Sequence, residues 1–202
     1  QWKQDRDPKE PLFRFKRNLV YFSVGTEKVS MTTRLRSDKT FFLPFNKGID
    51  NPVNEKGFET HYLWEETLQP NCLLDLIENF VHIRTESEKV YDPQRQQVVE
   101  KKTDVLIFPR FHQLSVVQKM KKSIIDEGVG NNYLIQHTTG SGKSLSIGWL
   151  SHLLSSLYRN PTDTKRMFDS IIVVTDRRVL DKQIRNTIKQ LEQTKGVVCP
   201  VD

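Results

Sequence analysis

The stretch "NYLIQHTTGSGKSLSIGWL", residues 132 to 150, constrains this chain more than any other. An apolar lead-in of strand type runs into "TGSGKS", Thr139 to Ser144, and a helical pattern follows at once. Gly140 and Gly142 allow the backbone to turn its N–H groups inward around an anion, and the positive end of the helix opening at Lys143 adds to that field. Lys143 is placed to reach phosphate oxygens as a point charge, and the Ser144 hydroxyl is a magnesium ligand by type. Thr139, Gly140, Ser141, Gly142, Lys143 and Ser144 are therefore the predicted contacts of a nucleoside triphosphate, ATP with Mg2+, with Lys143 in the catalytic role. Glycine-rich turns often serve only as turns. One held between a strand and a helix and ending in Gly-Lys-Ser is a nucleotide loop, although His137 stands where Gly or Ala is usual.

Alternation of helix and strand around that loop predicts an α/β arrangement with a parallel sheet. A helix is expected over Phe111 to Glu127, closed by Gly128, then a strand at "NYLIQ". A long helix from "GKSLSIGWL", a buried strand "SIIVVT" and a helix "RRVLDKQIRNTIKQLEQ" complete the series. Upstream the pattern differs. "VYFSV" and "KVSMTTRL" read as a hairpin across "GTE", "TFFLPF" as a third strand ended by Pro44, and 61 to 80 as helical, with Asn71 as a cap behind Pro70. The polar stretch "TESEKVYDPQRQQVVEKKT" reads as a boundary, so domains are expected over 1–95 and 96–202.

Charge and cysteine content narrow the class. Residues 104 to 202 carry 14 Lys and Arg against 9 acids, whereas residues 1 to 103 are nearly balanced at 17 against 16. That bias suits a polyanion partner, though solvated basic faces are common. Cys72 and Cys199 have no metal-ligand spacing and read as plain thiols. No apolar run approaches the ~18 residues of a membrane helix and no signal-peptide pattern opens the chain, so the expected location is the cytoplasm, without a membrane partner.

Two further groups attach to the loop. Gln113, in "RFHQ", precedes the first strand at the distance where an amide that donates and accepts at once reads an adenine edge. Arg177 and Arg178, in "VVTDRRVLDKQ", sit at a strand-to-helix turn suited to a DNA phosphate backbone, with a charged solvated turn as the plainer alternative. Asp176 and Asp181 belong to the turn and helix after the second strand and are poor candidates for holding magnesium.

Together "HTTGSGKS", "RFHQ", "VVTDRRVLDKQ" and the upstream "FLPFNKG" and "YLWEETLQPNCLLDLIENFVHI" resemble the restriction (R) subunit of type I restriction-modification enzymes, in which His at the 137 position is common. The resemblance extends over essentially the whole chain. It implies the tail of a PD-(D/E)xK-type nuclease domain followed by an incomplete first RecA-like motor domain with a P-loop parallel sheet. It also implies an ATP-dependent translocase on double-stranded DNA, and modification and specificity subunits as partners. The nuclease carboxylates would lie upstream; Gln1 would follow them, although the tyrosine expected four residues on is Asp5 here. Two other readings stand beside it: a different superfamily 2 helicase or translocase, and a nonenzymatic module with a vestigial nucleotide loop.

Overall fold

A computed structural model describes residues 7–93, 96–192 and 198–199, and the chain divides into two compact units, Gln1–Pro109 and Arg110–Asp202. Gln1 and Asp5, and with them the expected continuation of a nuclease motif, lie outside the described residues.

Unit 1 is built on the predicted hairpin. Strand β1, Tyr21–Val24, pairs antiparallel with β2, Val29–Thr32, and β2 pairs antiparallel with β3, Leu43–Pro44. Pro44 is tolerated because β3 is the edge strand of this three-stranded sheet, where a missing N–H costs no ladder bond. Val29, Met31 and Phe45 are buried on the sheet, and Phe22, Phe45 and Phe108 form an edge-packed ring cluster. The Asn-rich loop after β3 clips back to the hairpin. Asn46 accepts from the Val29 N–H, and Asn51 donates to the Glu27 carbonyl. The predicted helical stretch forms as a π-helical turn, Leu63–Thr67, then α1, Pro70–Asp75, then a second π-helical turn, Leu76–Phe80. Gln69, not Asn71, is the cap of α1, because Pro70 with its fixed φ occupies the first helical position and lacks only an N–H that would be unpaired there.

Residues 84 to 103, expected as a boundary, instead form most of a long hairpin. Strand β4, His82–Asp92, pairs antiparallel with β5, Gln97–Ile107, from His82↔Ile107 to Asp92↔Gln97. The ribbon is largely exposed and carries no apolar stripe, so its sequence resembles a loop. Its register sets opposite charges directly across from each other, Glu88 against Lys101 and Lys89 against Glu100, and β-branched residues such as Val90 against Val99, an arrangement that favours pairing.

Unit 2 contains α2, Phe111–Glu127, α3, Lys143–Ser155, and α4, Arg178–Gln190. Gly128, at φ 86, ends α2 as expected. Leu114, Val117, Ile124, Trp149, Leu153, Leu157, Ile188 and Leu191 are its buried apolar residues among those described. The parallel sheet is the expectation that fails. Both sheets among the described residues are antiparallel, and "NYLIQ" and "SIIVVT" have no ladder partner. Parallel strands are favourable where both faces are covered and neighbours complete the ladder. Here Leu134 is 94% exposed, Ile172 79% and Val174 84%. The molecule is thus a mixed α/β chain with small antiparallel sheets.

Candidate nucleotide-binding site

The glycine loop is held from below by the start of α2. Gln113 is the third residue of that helix and only 3% exposed. Its Oε1 accepts the Arg110 N–H at 2.9 Å, and its Nε2 donates to the Gly142 carbonyl at 3.0 Å and the Ser141 carbonyl at 3.3 Å. His112 Nε2 lies 2.9 Å from the same Ser141 carbonyl, and because a carbonyl only accepts, Nε2 carries the hydrogen. Both ends of the Gln113 amide are therefore engaged with the protein backbone. Reading an adenine edge would require these bonds to be given up; in this structure Gln113 braces the loop.

Gly140 and Gly142 have φ of 77 and 82, the left-handed region that side chains disfavour. Gly142 is also the cap of α3, and a Cβ added there would lie 2.4 Å from Gln113 Nε2. The loop bends where it does because these two residues are glycines. The consequence is a cluster of spare donors: the N–H groups of Gly140, Gly142, Lys143 and Ser144 take no acceptor among the described residues, and neither does the Ser144 hydroxyl. Lys143, exposed at the first position of α3, donates from Nζ to the Thr138 carbonyl at 2.9 Å and the His137 carbonyl at 3.2 Å. Contact with a phosphate requires the ammonium to exchange those carbonyls for phosphate oxygens.

Two histidines stand beside the loop, their rings 5.1 Å apart and nearly perpendicular. Burial pushes the His112 imidazole below its ordinary range, with the nearby Arg110 and His137 acting the same way against the favourable Ser141 bond. His137 Nδ1, Ser141 Oγ and Ser146 Oγ are buried without a hydrogen-bond partner in this structure. The part played by His112 was not anticipated from sequence; its place beside Gln113 in "RFHQ" is the one signal that pointed towards it.

The remaining candidates sit on α4. Arg177 is its cap and Arg178 its first residue, both exposed. Arg177 Nε lies 3.6 Å from Asp176, an exposed contact of little energetic weight. Asp181 is committed to Arg185 one helical turn on, at 2.7 Å. No group of three or more His, Cys, Asp or Glu able to hold a metal occurs among the described residues, which leaves Ser144 as the magnesium ligand this loop offers. The free amides, the ammonium and the hydroxyl fit a magnesium-bound polyphosphate.

Residues 112–199 match the family described as SWI2/SNF2 ATPase. That match covers less than half of the chain and falls within unit 2. It supports a helicase-like ATPase superfamily for this segment, and with it the use of ATP. No curated protein and no solved structure matches the chain. No helix among the described residues is long and apolar enough to cross a membrane.

Proposed function

We propose that unit 2 is the nucleotide-binding part of an ATP-driven motor acting on double-stranded DNA, and that the chain is part of the motor subunit of a type I restriction enzyme, working in the cytoplasm with modification and specificity subunits. The observation that carries the motor reading is the cluster of unpaired N–H groups with Lys143 and Ser144 at the start of α3, inside a segment similar to SWI2/SNF2 ATPases. The order of motifs supports the restriction reading: "FLPFNKG" and "YLWEE" stand ahead of "RFHQ" and "HTTGSGKS". A second reading, another superfamily 2 translocase, is favoured by the family match itself, which concerns the ATPase segment alone.

On either reading, magnesium-bound ATP supplies the phosphoryl group whose cleavage drives the motor. The loop amides hold the phosphates, Lys143 neutralises their charge, Ser144 holds the metal, Gln113 and His112 keep the loop in shape, and Arg177 and Arg178 face the DNA backbone. Titration with a fluorescent ATP analogue in the presence of magnesium tests the loop. Lys143→Ala is expected to weaken binding about ten-fold or more, the value of a charge-assisted hydrogen bond; undiminished affinity would overturn the assignment. Mixing the chain with a preformed modification and specificity complex separates the finer readings. Capture supports the restriction subunit, and its absence with ATP binding intact leaves the other translocase.

A further inference from the structure

The second candidate site lies in unit 1 and does not depend on the nucleotide loop. The segment "TTRLRSDKTFF", residues 32 to 42, carries three cations against one acid, Asp38, which is outside the cavity lining, and ends in two rings. It folds into a tight turn. The Thr40 hydroxyl accepts the Arg36 N–H at 2.7 Å, Thr40 N–H donates to the Ser37 carbonyl at 2.9 Å, and Lys39 N–H to the Arg36 carbonyl at 3.1 Å. Thr40 is buried, which anchors the turn, while Arg36, Lys39 and Phe41 are exposed. Beside it opens a cavity of about 170 Å³ lined by Phe15, Arg34, Arg36, Lys39, Phe41 and Asp104, among others.

The charges in this cavity are unbalanced in one direction. Arg34 stacks over the Phe15 ring at 4.6 Å, which fixes its guanidinium. No carboxylate among the described residues pairs with Arg34, Arg36 or Lys39. Asp104, the one acid in the lining, is already bound by Lys16 at 2.6 Å and by the Thr85 hydroxyl at 2.8 Å. At the mouth Phe41 is 74% exposed, a large ring held in water beside three cations. A solvated basic turn explains the cations but not the cavity or the exposed ring.

We propose that this cavity takes one nucleotide unit of a single-stranded nucleic acid, its base stacked on Phe41 and its phosphate between Arg36 and Lys39, with Arg34 behind. The volume suits one phosphate-sized group, with the base outside it against Phe41 at the mouth, and not a duplex, whose bases are stacked on each other. An aromatic face together with a basic groove is the combination by which proteins hold single strands irrespective of sequence.

Fluorescence anisotropy of the full chain with a labelled oligothymidylate about 12 nucleotides long, a length suited to such grooves, tests this. Phe41→Ala is expected to weaken binding about five-fold or more. Arg36→Ala with Lys39→Ala is expected to lower the slope of log affinity against log salt by about 0.7, for the one phosphate the pair holds. All three side chains are exposed, so circular dichroism and melting temperature should match the wild type. Thymidine monophosphate as competitor distinguishes the sources: displacement at comparable concentration shows that a free nucleotide suffices, and weak displacement that the strand is the ligand. Wild-type affinity in Phe41→Ala, a duplex whose binding Phe41→Ala weakens as much as that of the oligothymidylate, or loss of the signal on Arg177→Ala with Arg178→Ala in unit 2 would each overturn the proposal.

Discussion

Gly142 and Gln113 define each other. The glycine adopts a left-handed φ of 82 and leaves the space that the Gln113 amide fills, and the amide in turn holds the Gly142 carbonyl. Gly142→Ala therefore meets two penalties, a strained backbone of about 1–2 kcal/mol and a contact with Gln113. Denaturant unfolding should show the loss, and affinity for the fluorescent ATP analogue should fall with it. Adding Gln113→Ala removes the contact partner, so the double variant should lose less than the sum of the single losses; strict additivity would mean that the two residues do not interact. His112 makes a pH prediction at the same scale. Its folded-state pKa lies below the unfolded value because burial disfavours the imidazolium, so the unfolded chain binds more protons as the pH falls. This contribution is fully present above the unfolded pKa and is lost as pH drops through about 6.5 towards the folded value. Unfolding free energies measured across that window should decline in the wild type and decline less in His112→Asn. An equal decline in both would remove His112 from the account.

At the level of elements, sequence and structure agree where a local rule decides and part where pairing decides. Helix α2 was legible because its end is set by Gly128, and the β1 to β2 hairpin because apolar residues flank a short polar turn. The β4 to β5 ribbon was not legible, since its cross-strand partners, such as Glu88 with Lys101 and Thr85 with Asp104, are distant in sequence and leave no periodic apolar signal. Helix α3 shows a tertiary demand inside a helix. A Cβ at Gly148 would lie 2.7 Å from Leu191 Cδ1 and 3.7 Å from Thr187 Cγ2, beside α4. His152 Nε2 also lies 2.8 Å from the Ile188 carbonyl, so the two helices are pinned close together. Alanine would gain up to about 1 kcal/mol of helix propensity while displacing a buried leucine terminus. Gly148→Val has no such compensation and should destabilise by about 1–3 kcal/mol through overpacking. Thermal or denaturant unfolding checks it; a valine variant as stable as the wild type would mean that α4 can move away freely.

For the whole molecule, each of the two units covers a core and leaves apolar side chains in water, in unit 1 as at Ile49 and Val53. Unit 1 buries Val29 and Met31 of β2 together with Tyr62 and Phe80, and burial pushes the Tyr62 phenol to about 12 while its hydroxyl donates to the Phe45 carbonyl. Unit 2 leaves two extended apolar segments in water, at Leu134 and at Ile172 with Val174. Exposed apolar strands without partners are association-prone. Ile172→Lys with Val174→Lys should reduce concentration-dependent light scattering while changing unfolding free energy by no more than about 0.5 kcal/mol per site. A large loss of stability would show that these side chains are packed in solution. Local sequence was enough for the glycine loop and its left-handed turns, the β1 to β2 hairpin and the end of α2 at Gly128, because each depends on backbone conformations that a few adjacent residues impose. Packing between distant segments set the rest: Gln113 and His112 brace the loop, the polar stretch is a ribbon, a basic cavity opens beside Phe41, and among the described residues the two apolar segments lack a ladder. Each of these depends on which distant groups satisfy a given donor, charge or apolar face, and that pairing is not encoded in local spacing.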